Sequence, residues 1–106
     1  MNAVPIKRIT IIGDTTVQYR IVKEVEELGA TGYTAYPVHG KGQRGIRPRH
    51  GEPPNAKIEV IASPAVAQKI LEHIARNYFE NYAMIAYFDD VEVLRPEKFA
   101  PADFKK

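Results

Sequence analysis

The sequence predicts an α+β domain in which four strands and two helices follow one another in the order β-α-β-β-α-β. Two observations carry this prediction. Short segments rich in β-branched residues alternate with two longer segments whose apolar residues recur at helical spacing. A stretch without regular pattern, residues 39–55, separates the second strand from the third, and connections of this length are usually functional in a compact domain.

The first part of the chain is predicted to form a strand and a helix. Ile6–Ile12 is rich in β-branched residues and favours a strand. Gly13 breaks this pattern, and the side-chain oxygens of Asp14 and Thr15 can cap the start of a helix. The apolar face of that helix comprises Val17, Ile21, Val22, Val25 and Leu28. Gly29 follows at the place where a residue of left-handed conformation commonly ends a helix.

The second part repeats the pattern. Tyr33–Val38 and Lys57–Ile61 are predicted to be the second and third strands. Ser63-Pro64 supplies a cap and a first-turn residue for the second helix. Its predicted buried face comprises Val66, Ala67, Ile70, Leu71, Ile74, Ala75 and Tyr78. Met84–Leu94 gives the fourth strand, which Asp89-Asp90 is expected to bend.

The chain is predicted to be a single domain, residues 1–106, with a long loop at about 39–55 and an irregular tail at about 96–106. The element order is that of the ferredoxin-like arrangement, an antiparallel sheet that carries two helices on one face. Apolar residues occupy both parities of several strands, as Ile9 and Ile12 do in the first. We therefore expect the second face of the sheet to be buried by symmetric self-association.

Composition excludes several classes of function. The chain has no cysteine, so disulfides, thiolate metal sites and cysteine nucleophiles are excluded. The net charge is only +2, so bulk electrostatics do not indicate a nucleic-acid-binding protein. The N-terminus lacks the apolar run of a signal peptide, and no apolar stretch approaches membrane-spanning length. The sequence therefore predicts a cytoplasmic protein.

Glycine and positive charge are concentrated in one window. Six of the seven glycines fall between Gly29 and Gly51, and no acidic residue occurs between Glu27 and Glu52. The basic residues of this window are Lys41, Arg44, Arg47 and Arg49. Backbone N–H groups beside glycines and planar guanidinium groups both suit phosphate or carboxylate oxygens. The window predicts an anion-binding site, with a solvated basic loop as the alternative.

Five motifs are spread along nearly the whole chain. They are Gly29-Ala30-Thr31-Gly32-Tyr33-Thr34, Gly40-Lys41-Gly42 followed by Arg44 and Arg47, Lys57-Ile58-Glu59-Val60, Tyr82-Ala83, and Glu92-Val93-Leu94. Their glycine spacing and their position relative to the long loop resemble the PII family. The branch they resemble is tied to inorganic-carbon metabolism and includes the carboxysome-associated PII protein and the regulator of a bicarbonate transporter.

This resemblance implies a homotrimer that binds adenine nucleotides in clefts between subunits. The long loop is then the T-loop of the family, which contacts a target protein. ADP or AMP is the implied effector, with ATP and cyclic AMP as alternatives, and neither a metal nor a catalytic residue is implied. The implied nucleotide-binding residues are Ile12, Thr34, Gly40, Lys41, Gly42, Gln43, Arg44, Arg47, Glu59 and Arg95, with Ala83, Met84 and Ile85 from the neighbouring subunit.

The sequence departs from nitrogen-regulating PII proteins in two places. Those proteins carry a glycine- and lysine-rich phosphate loop before the last strand and a pair of arginines after it. Here Asn81-Tyr82-Ala83-Met84 occupies the first position, and only Arg95 matches the second. Fewer phosphate ligands favour AMP or ADP over Mg-ATP. The chain also lacks the cysteine that forms a C-terminal redox element in some relatives.

The resemblance further implies bicarbonate as a second effector. Spare donors of Arg44 and Arg47 could hold this small anion beside the nucleotide. The implied partner of the T-loop is a bicarbonate transporter or a carboxysome-associated protein. Such a partner would bring a cytoplasmic protein to the inner membrane or to the carboxysome.

Two other functions fit the same strand order. A small acylphosphatase-like enzyme would use an anion-binding loop, but no nucleophile–base pair is visible and the three histidines are not spaced as metal ligands. An RNA-binding module would need exposed aromatic residues on central strands beside basic residues. No such motif surrounds Tyr33, Tyr36, Tyr87 or Phe88. The sequence therefore predicts a regulator that is neither an enzyme nor a nucleic-acid-binding protein.

Overall fold

The computed structural model describes residues 3–40 and 55–101, and its topology confirms the predicted ferredoxin-like order. The strands are β1 (Val4–Asp14), β2 (Thr34–Val38), β3 (Asn55–Ala62) and β4 (Ile85–Val93). They form one antiparallel sheet in the order β2-β3-β1-β4. The helices are α1 (Gln18–Glu27), α2 (Pro64–Tyr78) and a four-residue helix, α3 (Pro96–Phe99).

The two central strands and the two long helices form the main hydrophobic core. The register of β1 and β3 places two apolar pairs on one face, Ile9 with Val60 and Ile11 with Ile58. The long helices cover this face, which we call the helix face, with Ile21, Val25, Ala67, Ile70, Ile74 and Tyr78. Burial of one such large apolar side chain stabilises the fold by about 1.5–3 kcal/mol.

The opposite side of the sheet, which we call the open face, carries the side chains of the other parity. On the central strands these include Arg8, Thr10 and Ile12 from β1, and Lys57 and Glu59 from β3. Within residues 3–40 and 55–101 no long helix covers them, because α1 and α2 both pack on the helix face. The open face is therefore where charged residues and solvent-exposed apolar residues meet.

The helix ends follow the sequence predictions. Asp14 accepts a hydrogen bond from the Thr16 amide (2.8 Å) at the start of a short 3-10 turn that leads into α1. Ser63 Oγ accepts one from the Val66 amide (3.2 Å) at the start of α2. Gly29 ends the first helical segment with a φ of +119°, a conformation that residues with a Cβ rarely adopt.

A polar network joins the two long helices. The hydroxyl group of the buried Tyr78 donates to Glu24 Oε1 (2.5 Å), and His73 Nε2 lies 2.9 Å from the same oxygen. Partial burial raises the pKa of Glu24, but the hydrogen bonds from Tyr78 and His73 outweigh it and hold that pKa below its usual value. The network fixes α1 against α2, and each of its polar side chains has a partner.

Two predictions about β4 and α2 are wrong. Asp89 and Asp90 do not bend β4, because the strand pairs with β1 on both sides of them and each aspartate binds a cation of β1. Ala75 is exposed, although the helical spacing placed it on the buried face. A small residue at the margin of an apolar stripe can face either way, because its burial depends on how α2 is rotated against the sheet.

The prediction of an irregular tail is wrong for the residues that follow Arg95. Pro96–Phe99 forms α3, and Ala100 is only 6% exposed. Phe99 and Ala100 join Ile6 and Val93 in a second apolar cluster at one end of the open face. A single helical turn has too little periodicity to be recognised in the sequence. α3 forms because it is stabilised by tertiary packing on the sheet that it covers. Residues 102–106 lie outside the described residues.

Within the two described segments, no helix has both the length and the apolar composition needed to cross a membrane.

The conformation of Gly29 leads to a stability prediction. A Cβ at this position would lie 3.1 Å from Val66 Cγ2, and the positive φ would be strained as well. Gly29→Ala should lower the free energy of unfolding by about 1–2 kcal/mol, measured by urea denaturation. Gly32→Ala is the matched control, because a Cβ there meets nothing within 4 Å. Equal effects of the two substitutions would contradict the assignment of strain to Gly29.

Candidate functional site

The sheet register brings four of the implied nucleotide-binding residues onto the open face. Ile12 lies opposite Ile85 across β1 and β4, and Thr34 lies opposite Glu59 across β2 and β3. Residues that lie opposite one another across the strands form a row on this face. Ile12 lies in the row of Lys57, and Lys57 precedes Glu59 by two residues, so the two pairs occupy adjacent rows. Strand pairing alone thus brings together residues as far apart in sequence as Ile12 and Ile85.

Two neighbouring side chains, those of Tyr36 and Lys57, fix the carboxylate of Glu59 on this surface. The Tyr36 hydroxyl group donates to Glu59 Oε2 (2.9 Å), and Lys57 Nζ lies 3.8 Å from the same oxygen. Lys57 Nζ also lies 5.8 Å from the centre of the Tyr36 ring, and its interaction with the Tyr36 side chain raises the pKa of Lys57. The carboxylate is therefore fixed in direction and its charge is offset by a neighbouring cation.

A cleft of about 280 Å³ opens on this face where β2 begins. Its walls are Thr31, Gly32, Tyr33, Thr34, Glu59, Ile61, Lys98 and Phe99. Thr34 and Glu59 were predicted as site residues, whereas Lys98 and Phe99 were not, because they come from α3. The walls combine apolar surface with hydroxyl, carboxylate and ammonium groups, and this combination suits a small ligand that has both a ring and polar substituents.

The segment before β4 has a different role from that of the cleft residues. The side chain of Met84 packs over Gly13, and its Cε would lie 2.8 Å from a Cβ placed there. Met84 also contacts the main core cluster. Part of the Met84 side chain is therefore used in packing, and the resemblance implies main-chain contacts for Met84, as for Ala83 and Ile85.

The part of the loop that carries the predicted phosphate ligands is not described by the structure. Lys41, Gly42, Gln43, Arg44 and Arg47 lie outside the described residues. Gly40 is described and follows the end of β2 without regular structure.

The remaining predicted residues occupy opposite ends of the sheet. Val38, before Gly40, pairs with Asn55 beside Asp14 at one end, whereas Arg95 follows Val93, which pairs with Val4 at the other. At about 3.3 Å per strand residue, Val4 and Ile12 are separated by roughly 26 Å. Gly40 and Arg95 of one chain therefore cannot contact the same nucleotide, so a site that uses both needs a second copy of the chain.

An ion pair that the sequence did not predict crosses the open face beside these rows. Arg8 binds Asp89 with two hydrogen bonds, from Nη2 (2.7 Å) and Nε (3.1 Å). The hydrogen bond from Arg8 lowers the pKa of Asp89 from its usual 3.8. On the helix face, Lys7 forms the neighbouring pair with Asp90 at 2.6 Å. Alternation along two paired strands thus sends two adjacent aspartates to opposite faces.

In the described part of the chain, the open face does not have the aromatic pattern expected of an RNA-binding sheet. Tyr36 and Tyr87 are exposed, but they lie on the two edge strands, β2 and β4. The central strands present Thr10 and Glu59 level with Tyr87, and Ile12 and Lys57 level with Tyr36. Stacking of bases on central-strand aromatics is therefore unavailable at this position.

Comparison with known protein families decides the identity of the fold. The family model described as Nitrogen regulatory protein P-II matches residues 6–98. The chain belongs to the P-II family. Proteins of this family are signalling regulators, so this membership confirms the prediction of a regulator that is not an enzyme. It also confirms the PII resemblance carried by the five sequence motifs.

Solved structures agree with this membership. A candidate PII-like signalling protein from Thermus thermophilus is 44% identical, with a TM-score of 0.81 over 93% of this chain and 99% of that one. CPII from Thiomonas intermedia, bound to ADP and bicarbonate, is 24% identical, with a TM-score of 0.82 over 92% and 97%. The GlnK–ATP complex of B. subtilis is 17% identical, with a TM-score of 0.62 over 82% of each chain. At such low identity the last two comparisons show the fold alone.

The Arg8–Asp89 pair leads to a pH prediction for this P-II chain. Because the folded-state pKa of Asp89 is depressed, the pair stabilises the fold above the unfolded-state pKa, and this contribution is lost as the pH falls through the folded-state pKa. Asp89→Asn should therefore make the melting temperature less dependent on pH between about pH 5 and pH 2. Arg8→Gln removes the other partner and should flatten the same part of the curve. Parallel curves for all three proteins would contradict this role.

Proposed function

We propose that this P-II chain is a trimeric sensor of adenine nucleotides, with ADP or AMP as its principal effector. The observation that carries the proposal is the cleft on the open face, which includes Thr34 and Glu59 and lies on the same surface as Ile12. CPII from Thiomonas intermedia, which has a similar fold and is bound to ADP, AMP and bicarbonate, supports this choice of ligand.

The chemistry of the cleft suits an adenine nucleoside. Ile61 and the rings of Tyr33 and Phe99 offer apolar surface to a planar base. A carboxylate can accept several hydrogen bonds, so Glu59 can bind the adenine amino group or a ribose hydroxyl group while it retains Tyr36. Guanine presents a carbonyl oxygen where adenine presents an amino group, and a carboxylate disfavours that oxygen.

The homotrimer is part of the proposal, and two observations support it. The open face exposes large apolar side chains, including Ile85 at 57% and Tyr87 at 46%, that self-association would bury. Gly40 and Arg95 lie at opposite ends of one sheet, so a cleft between chains is required if both bind one nucleotide. In such a cleft Ala83–Ile85 would come from the neighbouring subunit.

The oligomeric state can be measured directly. Light scattering at micromolar protein concentration should give three times the chain mass of 11.9 kDa. Ile85→Lys, which places a charge on the exposed part of the open face, should shift the population towards smaller species. A wild-type monomer would contradict both the trimer and the shared cleft.

The phosphate groups of the nucleotide are proposed to bind the basic window. Gly40 and Gly42 would present backbone N–H groups, and Arg44 and Arg47 would bind phosphate oxygens, with Lys41 and Gln43 beside them. A charge-assisted hydrogen bond contributes roughly 1.5–3 kcal/mol. Arg47→Ala should therefore weaken ADP binding about tenfold or more by calorimetry. Arg49→Ala, which has no counterpart in the motifs, is the control, and equal losses for both would reject the specific role of Arg47.

Bicarbonate is proposed as the second effector, with the loop at 39–55 as the output. In this proposal the two ligands together set the loop conformation that meets a partner in bicarbonate uptake or in the carboxysome. The partner would bring a cytoplasmic trimer to the inner membrane or to the carboxysome. Coupling between two ligands is reciprocal, so each must change the affinity of the other by the same factor.

Calorimetry tests this coupling. The affinity for ADP should rise when bicarbonate is added at constant pH and ionic strength, and the affinity for bicarbonate should rise by the same factor when ADP is present. Chloride at equal ionic strength is the control for a general salt effect. Unchanged ADP affinity would reject bicarbonate as an effector, and absence of adenine-nucleotide binding would reject the proposed function as a whole.

A further inference from the structure

The turn between α2 and β4 holds Ala83 between two packed side chains. Tyr82 and Met84, its neighbours in the chain, both contact the main hydrophobic core. After α2 the amides of Asn81 and Tyr82 donate to the carbonyl oxygen of Tyr78 (3.3 and 3.0 Å). Among the described residues, no such turn hydrogen bond involves Ala83. The position of Ala83 therefore depends on how the two side chains beside it pack.

Tyr82 packs against side chains that belong to the two long helices. The centre of its ring lies 5.6 Å from that of Tyr78, with 48° between the ring planes, an arrangement typical of aromatic pairs. The guanidinium carbon of Arg20 lies 5.2 Å from the centre of the Tyr78 ring. Interaction with Tyr78, and to a smaller extent with Tyr82, raises the pKa of Arg20. Since the Tyr78 hydroxyl group also binds Glu24, the ring beneath Tyr82 is fixed to α1 as well as to α2.

Met84 packs on the other side of Ala83. Its Cε and Cγ would lie 2.8 and 3.2 Å from a Cβ placed on the buried Gly13, so the side chain occupies the space that the glycine leaves. Gly13 follows Ile12 in β1, and Ile12 lies opposite Ile85. This second contact therefore ties the turn to the end of β1, next to the row of Ile12 on the open face.

A main chain held in this way suits a ligand contact. The N–H group of Ala83 can donate and its carbonyl group can accept, and within residues 3–40 and 55–101 no turn hydrogen bond uses either group. Because the side chains on both sides are packed, the direction of these two groups is fixed before a ligand arrives. Binding then costs less conformational entropy than it would at a mobile turn.

We propose that Tyr82 and Met84 are positioning residues whose side chains hold the main chain of Ala83 in place for a nucleotide bound between subunits. The proposal rests on the proposed function, in which Ala83 contacts the nucleotide of the neighbouring subunit. It assigns to the two side chains an effect on binding that acts through Ala83. It also makes the affinity of one subunit's site depend on the helix packing of the next subunit.

Substitutions on the two sides of Ala83 test the proposal. Tyr82→Leu removes the ring that packs on Tyr78, and Gly13→Ala places a Cβ where the Met84 side chain lies. Each substitution should weaken ADP binding about fivefold by calorimetry, the loss expected when one hydrogen bond to the ligand is no longer held in place. Tyr82→Phe keeps the ring and should retain most of the affinity.

NMR relaxation without nucleotide supplies a second measurement. The order parameter of the Ala83 amide should be close to the rigid value of about 0.85 in the wild type and in Tyr82→Phe, and it should fall in Tyr82→Leu. Val66→Ala is the control for a general loss of stability, because Val66 packs against the same core beside Gly29, at the other end of α2. This control should lower the melting temperature and change neither the Ala83 order parameter nor the ADP affinity.

The possible failures can be told apart. Equal losses of ADP affinity in Tyr82→Leu and Val66→Ala would overturn the proposal, because the loss would then follow from stability alone. A rigid Ala83 amide in Tyr82→Leu would overturn it as well. If the wild type binds ADP and neither Tyr82→Leu nor Gly13→Ala changes the affinity, the positioning role fails while the proposed function stands. Absence of ADP binding by the wild type would reject the proposed function, and the positioning role with it.

Discussion

The antiparallel pairing of β1 with both β3 and β4 is the constraint on which the other features of this protein depend. Side chains alternate along a strand, so the register of the central strand decides which residues share a face. A slip of one residue would send Ile9 and Ile11 to the open face and Arg8 to the core. The helix packing therefore selects a single register, because it alone buries the apolar row beneath α1 and α2.

The same register arranges the charges of the open face. Arg8 meets Asp89, and Glu59 lies between Tyr36 and Lys57. The charged side chains in these contacts are only half-buried, so they contribute little to stability compared with the buried core. Their effect is to fix side-chain direction on a surface that also exposes Ile85 and Tyr87. Exposed apolar side chains of this size are more typical of a surface that binds a ligand or another subunit than of one that contacts only solvent.

α3 changes the character of the open face at one end only. It covers Ile6 and Val93 with Phe99 and Ala100, and it stops beside the start of β2. The cleft exists because the helix covers one end of the sheet and leaves the rows around Glu59 open. A segment of four residues thus converts part of a flat sheet into a concave site, which is the shape that small ligands require.

The sequence by itself determined the element order, the helix caps at Asp14 and Ser63, the stop at Gly29 and the P-II motifs, because periodicity and local hydrogen bonding are short-range properties. Through the family resemblance it also predicted Thr34 and Glu59 as nucleotide-binding residues, and both line the cleft. Only the tertiary structure decided that Asp89 pairs with Arg8 instead of bending β4, and that Lys98 and Phe99 line a cleft with residues of β2 and β3. The physical reason is that these contacts join residues far apart in sequence, and their geometry is set by strand register and by the packing of α3 on the sheet.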